Sequence, residues 1–233
     1  MYYDLNMSEN YKTPAFLYGE SIFTTLRMES GSIIELERHI DKLINDACGY
    51  FFLSSRESIR KKVIQEIPKL ELSGALRITI SAPKRESLIG QFSEDELIVS
   101  TSFRELNLSN NKPVRLKLAK RVQDEKLCDF KIGSYGKELY LKRLAINEGF
   151  DDVLFYGEGK VFETSTSNIF FRKGDTLFTP KSGIYKGLTR AKIIDSGNII
   201  EKDISLDDIQ NNEFDEIFLC NSIYERIVVE DIE

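Results

Sequence analysis

The chain has 233 residues, 41% of them hydrophobic and 30% charged, with a formal net charge of −6 and three widely spaced cysteines. This size and composition are typical of a globular protein with one large or two small domains, not of a disordered one. The acidic balance argues against a nucleic-acid partner, and the lack of 18 consecutive apolar residues argues against a membrane span. The cysteine spacing fits neither a disulfide framework nor a metal site, and the first residues lack the pattern of a signal peptide. We therefore expect a cytoplasmic protein.

The first half of the chain alternates between strand and helix patterns. Period-two alternation predicts strands over residues 21–29, 74–82 and 95–103. Apolar residues at three- and four-residue steps predict a helix over 33–51 and a second helix that begins at residue 56 and ends near Pro68. These elements indicate a small N-terminal α/β domain over residues 1–107.

The second half is richer in strands. The patterns predict a strand over 114–122, a helix over 134–149 with Ser134 as its N-cap, short strands over 151–180, a short helix over 189–197 and strands over 215–231. The polar segment at 108–112 is the best candidate for a linker, which leaves 113–233 as a larger C-terminal domain. The predicted fold class is therefore a mixed α/β (α+β) protein of two domains.

The chain contains a single histidine, His39. Ser-His-Asp, Cys-His and histidine–metal chemistry each need that residue beside a nucleophile or a second ligand. We interpret His39 as a residue of the helix surface or a cap. If the chain is an enzyme, its acid–base chemistry then falls to lysine, carboxylates, tyrosine or a bound cofactor.

Four local features combine into one kind of chemistry, although each also has an ordinary interpretation. Lys131 precedes the predicted helix 134–149, and Lys42 lies in the first helix; either is by default a solvated cation. Glu163 lies among apolar and small residues, where a salt bridge to a neighbouring lysine would also explain it. The segment GLTR, residues 187–190, offers a loop glycine and a threonine to an anion, or is a plain turn. An amine, an acid and an anion site are together what pyridoxal phosphate requires.

The sequence resembles the fold-type IV (class IV) pyridoxal-phosphate enzymes, which include branched-chain and D-amino-acid aminotransferases and 4-amino-4-deoxychorismate lyases. The matching segments follow the family's order over most of residues 16–222 and read FLYGESIFTTLR, RHIDKLINDA, KIGSYGKELYLKRLAINEGFDDVLF, GKVFETSTSNIFFRKGDTLFTP, GLTR and DEIFLCNS. The resemblance implies a two-domain fold like that of D-amino-acid aminotransferase, pyridoxal 5'-phosphate as the cofactor, a small-molecule substrate and a homodimer.

The resemblance also implies residue roles. The family's Schiff-base lysine lies fourteen residues before the alanine of the "A…G-x-D-x-x-L" segment, which selects Lys131 and not Lys137 when counted from Ala145. Tyr135 matches the tyrosine that binds the cofactor's ring oxygen, and Glu163 matches the acid that pairs with the pyridine nitrogen. The other residues implied in cofactor binding are Ser167, Asn168, Leu188, Thr189, Asn221 and Lys42.

The chain departs from the family pattern at several places. Lys42 stands where the family has a phosphate-binding arginine, and it supplies charge without the bidentate fork of a guanidinium. Tyr185 replaces an aliphatic residue before GLTR, and SAPKRES (81–87) replaces a Ser/Thr-Arg-Gly motif. The chain also lacks most of the family's opening hairpin. Candidates for binding substrate carboxylates are Arg27, Arg77 and Arg85, by charge only.

Two details favour a lyase over an aminotransferase. Phe23-Thr24-Thr25 and the C-terminal Asn221-Ser222 are similar to the lyases, and Thr24 is then a catalytic candidate. The reaction expected is the conversion of 4-amino-4-deoxychorismate to p-aminobenzoate and pyruvate in folate biosynthesis. The alternatives are an aminotransferase for branched-chain or D-amino acids with a 2-oxo acid acceptor, a non-catalytic member, and, without the resemblance, a small-molecule binding module.

Overall fold

A computed structural model describes residues 2–4, 13–83, 92–109, 112–122 and 126–233. The contacts between residues divide the chain into two compact units. Unit 1 comprises Met1–Ser109 and Phe130–Tyr135, and unit 2 comprises Asn110–Asp129 and Gly136–Glu233. The structure differs from our expectation in one respect: Lys131, which we assign to the domain 113–233, packs within unit 1. The linker at 108–112 stays a prediction.

The strands within the described residues are β1 (Tyr2–Asp4), β2 (Ser21–Glu29), β3 (Ser32–Ile33), β4 (Gly74–Ser81), β5 (Ile98–Glu105), β6 (Val114–Lys120), β7 (Asp152–Gly157), β8 (Lys160–Thr164), β9 (Asn168–Lys173), β10 (Thr176–Thr179), β11 (Ile199–Glu201), β12 (Ile204–Ser205), β13 (Glu216–Cys220) and β14 (Ile227–Ile232). The helices are α1 (Pro14–Tyr18), α2 (Leu36–Phe51), α3 (Arg56–Gln65), α4 (Gly136–Asn147), α5 (Leu188–Asp195) and α6 (Leu206–Gln210). The mixed α/β class is confirmed. None of the helices in these ranges is long and apolar enough to span a bilayer.

Unit 1 is built on an antiparallel sheet with the strand order β1-β5-β4-β2-β3. Alternate residues of its strands form one apolar face, which packs with α2 and α3 into a core that includes Ile22, Leu26, Ile78, Ile40 and Leu43. The residues between them point to the opposite face, where Phe23 pairs with Thr79 and Thr25 pairs with Arg77. On β2 and β4 the second face therefore carries polar side chains beside the Phe23 ring.

Unit 2 is built on a mixed sheet with the order β11-β10-β9-β13-β14-β6-β7-β8-β12. Its parallel pairs are β10–β11, β14–β6 and β6–β7. A tight turn at Glu158-Gly159, with φ of 51° and 74°, joins β7 to β8. Helix α4 covers β7 through a cluster that includes Ala145, Phe150 and Val153. This hairpin positions Glu163 near the end of β8.

The predicted elements are mostly present, with shifted ends. The strand 21–29 is confirmed at both ends. The helix predicted from residue 33 begins at Leu36, because Ile33 pairs with Met28 and Glu35 adopts a left-handed φ of 52°. The helix predicted over 134–149 begins at Gly136, and Gly149 lies beyond its end with φ of 89°. The elements that the patterns missed (α1, α6 and the strands β1, β3, β11 and β12) are too short to show a period.

Candidate active site

Lys131 lies on the edge of β2. The Phe23 N–H donates to the Lys131 carbonyl (3.0 Å), and the Gly133 N–H donates to the Ser21 carbonyl (2.7 Å). A Cβ at Gly133 would lie 2.0 Å from Ser21 Oγ, so any larger residue here would have to displace the Ser21 hydroxyl. The predicted cofactor lysine is therefore fixed to a core strand by its own backbone.

The Phe23 ring is the centre of a side-chain cluster in unit 1. Lys131 Nζ lies 5.3 Å from the ring centroid, and the Arg77 guanidinium carbon lies 3.5 Å from it. The Tyr135 ring meets the Phe23 ring edge to face, with centroids 5.6 Å apart. Both cations are thus within the range of cation–π attraction to the Phe23 ring. This cluster brings together two predicted site residues, Lys131 and Tyr135, with Arg77.

The structure distinguishes two of the three arginines proposed for carboxylate binding. Arg27 pairs with Glu29 at 2.5 Å, and Arg85 lies outside the described residues. Arg77 donates to Thr79 Oγ1 (3.2 Å) and has no carboxylate partner among the residues that the structure describes. Burial lowers the pKa of Arg77, and the nearby Tyr135 offsets part of this shift. A largely desolvated guanidinium of this kind is suited to a carboxylate ligand.

Thr24 points to the other face of β2, towards α2. Its Oγ1 lies 2.7 Å from His39 Nδ1, and both residues are buried, with 7% and 4% of their surface exposed. The prediction that His39 lies on the helix surface or caps it is wrong, because it faces the sheet. Burial lowers the pKa of His39 to about 4, and the charge of Lys131 adds to this shift. Thr24 thus contacts a neutral imidazole.

Lys42 makes an ion pair one helical turn further along α2. Its Nζ lies 2.5 Å from Asp46 Oδ1, and the Asp46 side chain is 7% exposed. Lys42, which stands where the family has an arginine, therefore has a buried carboxylate as its neighbour. A phosphate bound by Lys42 would share that ammonium with Asp46.

Glu163 in unit 2 is held by several donors. The Tyr185 N–H lies 3.2 and 3.1 Å from its two carboxylate oxygens, and Asn168 Nδ2 lies 3.2 Å from Oε2. The cation beside it is Arg121, with Nη2 3.4 Å from Oε1, instead of the lysine considered from the sequence. Arg121 also donates to the Gly183 carbonyl at 2.7 Å. These donors favour an ionised carboxylate in a fixed orientation.

Asn168 joins Glu163 to the GLTR segment. Besides Glu163, its Nδ2 donates to the Tyr185 carbonyl (2.7 Å), and its Oδ1 accepts from the Gly187 N–H (3.3 Å). A Cβ at Gly187 would lie 2.8 Å from that Oδ1. Gly187 therefore allows the loop before α5 to approach the acid closely.

Leu188 and Thr189 begin α5, with Gly187 as the N-cap. No acidic residue lies in the first turn, no side chain caps it, and Thr189 is buried. The first N–H groups of a helix have no intrahelical acceptor, and together with the helix dipole they favour an anion. This helix start therefore fits a phosphate.

Ser167 and Asn221 form a second polar contact in unit 2. Asn221 Nδ2 donates to Ser167 Oγ (2.8 Å), while its Oδ1 accepts from the Ile223 and Tyr224 N–H groups (2.9 Å each). Two residues before Ser167, the buried Ser165 hydroxyl has no hydrogen-bond partner in the described part of the chain. A buried hydroxyl without a protein partner is one that a bound ligand can satisfy.

Each unit by itself carries groups of the kinds that bind pyridoxal phosphate. Unit 1 carries an amine and a phenol around Phe23. Unit 2 carries a carboxylate held by N–H donors, a helix start suited to phosphate, and the Ser165 hydroxyl, which has no partner among the described residues. Thr24 and Lys42 instead contact His39 and Asp46. Sequence reasoning missed Arg121, Asp46 and the burial of His39. The position of His39 three residues after Leu36 and four before Leu43 was a signal for its burial.

Comparison with known proteins identifies the family. The sequence model of the amino-transferase class IV family matches residues 21–232 of this chain. The Bacillus subtilis aminodeoxychorismate lyase is 28% identical over 94% of this chain and 79% of its own length. A Rickettsia felis protein named as a probable branched-chain-amino-acid aminotransferase is 27% identical over 84% of this chain and 69% of its own.

A solved structure supports the fold. The crystal structure of a proposed 4-amino-4-deoxychorismate lyase from Legionella pneumophila superimposes with a TM-score of 0.83, at 24% identity, over 98% of this chain and 88% of that one. At this identity the likeness concerns the fold, and it confirms the predicted fold-type IV architecture. The chain belongs to the class IV aminotransferase family and is a pyridoxal-phosphate-dependent enzyme.

Proposed function

We propose that this chain is a lyase that converts 4-amino-4-deoxychorismate to p-aminobenzoate and pyruvate, a step of folate biosynthesis. The observation that carries the proposal is the match to the Bacillus subtilis lyase along 94% of the chain. Phe23-Thr24-Thr25 and Asn221, the residues that resemble lyases, support it. We further propose that the enzyme works as a homodimer, as the resemblance implies, and in the cytoplasm, as its cysteine spacing indicates.

Lys131 has the central role in this proposal. Its Nζ would hold the cofactor, and once released it would take the proton from the substrate carbon that bears the amine. A lysine can act as a base near neutral pH only if its surroundings disfavour the ammonium. The Arg77 guanidinium carbon, 3.5 Å from the centroid of the same Phe23 ring, brings a second positive charge into this cluster.

Tyr135 and Arg77 would orient the reactants. Tyr135, four residues after Lys131, would donate its phenolic proton to the cofactor's ring oxygen. Arg77 would bind a carboxylate of the substrate, since its guanidinium is largely buried and lacks a carboxylate partner among the described residues. A substrate carboxylate would accept hydrogen bonds from guanidinium N–H groups of Arg77 other than the Nε that donates to Thr79 Oγ1.

The residues of unit 2 would hold the cofactor's ring and phosphate. When bound, pyridoxal phosphate supplies the electron sink for the reaction. Glu163 would pair with the protonated pyridine nitrogen, and Asn168 and Arg121 would keep its carboxylate in place. Leu188, Thr189, Ser167 and Asn221 would contribute the N–H and hydroxyl donors for the phosphate.

The second candidate is an aminotransferase for branched-chain or D-amino acids. The Rickettsia felis relative, which covers 84% of this chain, favours it. An aminotransferase must return a proton to the cofactor and admit a 2-oxo acid, whereas the lyase must expel pyruvate. The proposed roles of Lys131 and Glu163 are the same in both.

A pair of assays separates the two reactions. The purified enzyme, loaded with pyridoxal phosphate, is incubated with 4-amino-4-deoxychorismate and, separately, with branched-chain or D-amino acids plus 2-oxoglutarate. The lyase proposal expects pyruvate and p-aminobenzoate in equal amounts in the first mixture and no glutamate in the second. Glutamate in the second mixture without pyruvate in the first would establish the aminotransferase instead.

A further inference from the structure

The polar pair formed by Thr24 and His39 lies in an otherwise apolar layer. It is the contact between β2 and α2 described above, and its neighbours in that layer include Ile22, Leu26 and Ile40, all fully buried. Two apolar side chains of similar size would pack there with no desolvation cost. The hydrogen bond therefore suggests a requirement other than stability.

The pair is connected to Lys131 through one strand residue. Thr24 follows Phe23, whose N–H binds the Lys131 carbonyl and whose ring faces Lys131 Nζ. Fixing Thr24 against α2 thus fixes the position of β2 on which both the backbone and the amine of Lys131 rest. A 1 Å displacement of a reacting group can reduce a rate by about 100-fold.

The charged groups near His39 explain why a histidine suits this position. Lys131 and Arg38 disfavour the imidazolium, Glu35 favours it, and burial outweighs all three. The imidazole is therefore neutral at physiological pH. A carboxylate at this position would hold the proton of Lys131, whereas a neutral imidazole orients Thr24 without adding charge beside a base.

We propose that His39 is a positioning residue for Lys131: its Nδ1 fixes the Thr24 hydroxyl and thereby the part of β2 that carries the lysine. The proposal rests on the proposed role of Lys131 in the reaction, but its first test does not. Because His39 is the only histidine of the chain, its imidazole gives a single set of NMR signals.

The first experiment follows these signals against pH in the cofactor-free protein. We expect an imidazole that stays neutral far below the ordinary pKa of 6.5, with Nδ1 in a hydrogen bond that Thr24→Val removes. Replacing Lys131 with alanine should shift the titration upwards, since it removes a positive charge. A titration near 6.5, or one that ignores Lys131→Ala, would overturn the proposal whatever the enzyme's reaction is.

The second experiment compares His39→Leu, His39→Asn and Thr24→Val, with Ile44→Val as a control in the same buried layer of α2. We expect His39→Leu and Thr24→Val to lower kcat about 10- to 100-fold with little change in KM. His39→Asn, which keeps a hydrogen-bonding group, should recover part of this loss. The double variant His39→Leu/Thr24→Val should lose no more activity than either single variant. The pH at which the cofactor absorbance changes should shift in the same two variants and not in Ile44→Val.

The outcomes are distinguishable from a failure of the proposed function. If Lys131→Ala retains activity, the role of Lys131 is wrong, but the NMR titration still reports whether His39 responds to its charge. If Lys131→Ala is inactive while His39→Leu keeps kcat and the absorbance titration of the wild type, His39 is only a structural residue and the inference is wrong.

Discussion

The proposed site residues of the two units are held in different ways. In unit 1, Lys131, Tyr135 and the Arg77 cation lie around the Phe23 ring, and the Thr24–His39 pair on the other face of β2 is uncharged. In unit 2, Glu163 is held by N–H donors from Tyr185, Asn168 and Arg121. A base must lose and regain a proton, whereas an acid that pairs with a pyridinium must remain charged. The difference matches the two proposed roles.

Replacing Lys131 is expected to have the largest effect. Lys131→Ala should reduce turnover by about 10⁴-fold or more, because the same amine holds the cofactor and moves the proton. The checks are the assays of pyruvate and p-aminobenzoate, and borohydride reduction followed by peptide mapping, which should modify Lys131 in the wild type alone. Lys137→Ala, in the exposed first turn of α4, is the matched control and should remain active. Modification of Lys137 in the wild type would contradict the assignment.

Replacing Glu163 tests the other side of the comparison. Glu163→Gln removes the charge but can still accept from the Tyr185 N–H, so the fold should be retained while kcat falls by about 10²- to 10³-fold. The measurement is kcat together with the thermal unfolding midpoint. Glu158→Gln, in the exposed turn of the same hairpin, serves as the control. Full activity in Glu163→Gln would mean that another group pairs with the pyridine nitrogen.

The neutral imidazole of unit 1 predicts a pH dependence of stability. The pKa of His39 is about 4 in the folded chain and about 6.5 when unfolded, so between these values the unfolded state binds more protons and stability rises with pH. The contribution is complete above pH 6.5 and is lost as the pH falls towards 4, with a size of about 3 kcal/mol. The test is to measure denaturant midpoints of the wild type and His39→Asn at pH 4.5, 5.5 and 7. The midpoint of the wild type should fall more steeply than that of His39→Asn as the pH is lowered. Parallel curves would show that His39 titrates normally.

Much of this arrangement could be predicted from the sequence where the signals are local. The alternation of Ser21–Glu29 fixed both ends of β2, and the count from Ala145 selected Lys131. The contact between Arg121 and Glu163 could not be predicted, because it joins residues 42 positions apart at the ends of different strands. The pairing of Phe130–Tyr135 with β2 likewise depends on long-range packing, so dividing the chain at the polar segment 108–112 assigned Lys131 to the C-terminal domain.

The sequence carried a signal for the positions of His39 and Asp46, but they were interpreted by residue type instead of by their spacing around the helix. His39 lies on the apolar side of α2 by its spacing from Leu36 and Leu43, yet a lone histidine in a charged segment suggested the surface. Asp46 lies four residues after Lys42, the spacing at which side chains of opposite charge meet on a helix. Helical phase was therefore more informative than residue type for these polar residues.

The smallest expected effect concerns the Lys42–Asp46 pair of unit 1, which is charged, unlike the Thr24–His39 pair. If Lys42 binds the cofactor phosphate, its ammonium is shared with a buried carboxylate that repels the same anion. Asp46→Ser should then tighten cofactor binding by about fivefold, equivalent to about 1 kcal/mol, and Lys42→Arg should tighten it through a bidentate contact. Spectroscopic titration of the apo-enzyme with pyridoxal phosphate measures both, with Lys61→Ala on the exposed side of α3 as the control. If both variants change the unfolding midpoint but leave the cofactor dissociation constant unaltered, Lys42 serves only to neutralise Asp46, and the phosphate depends on the start of α5.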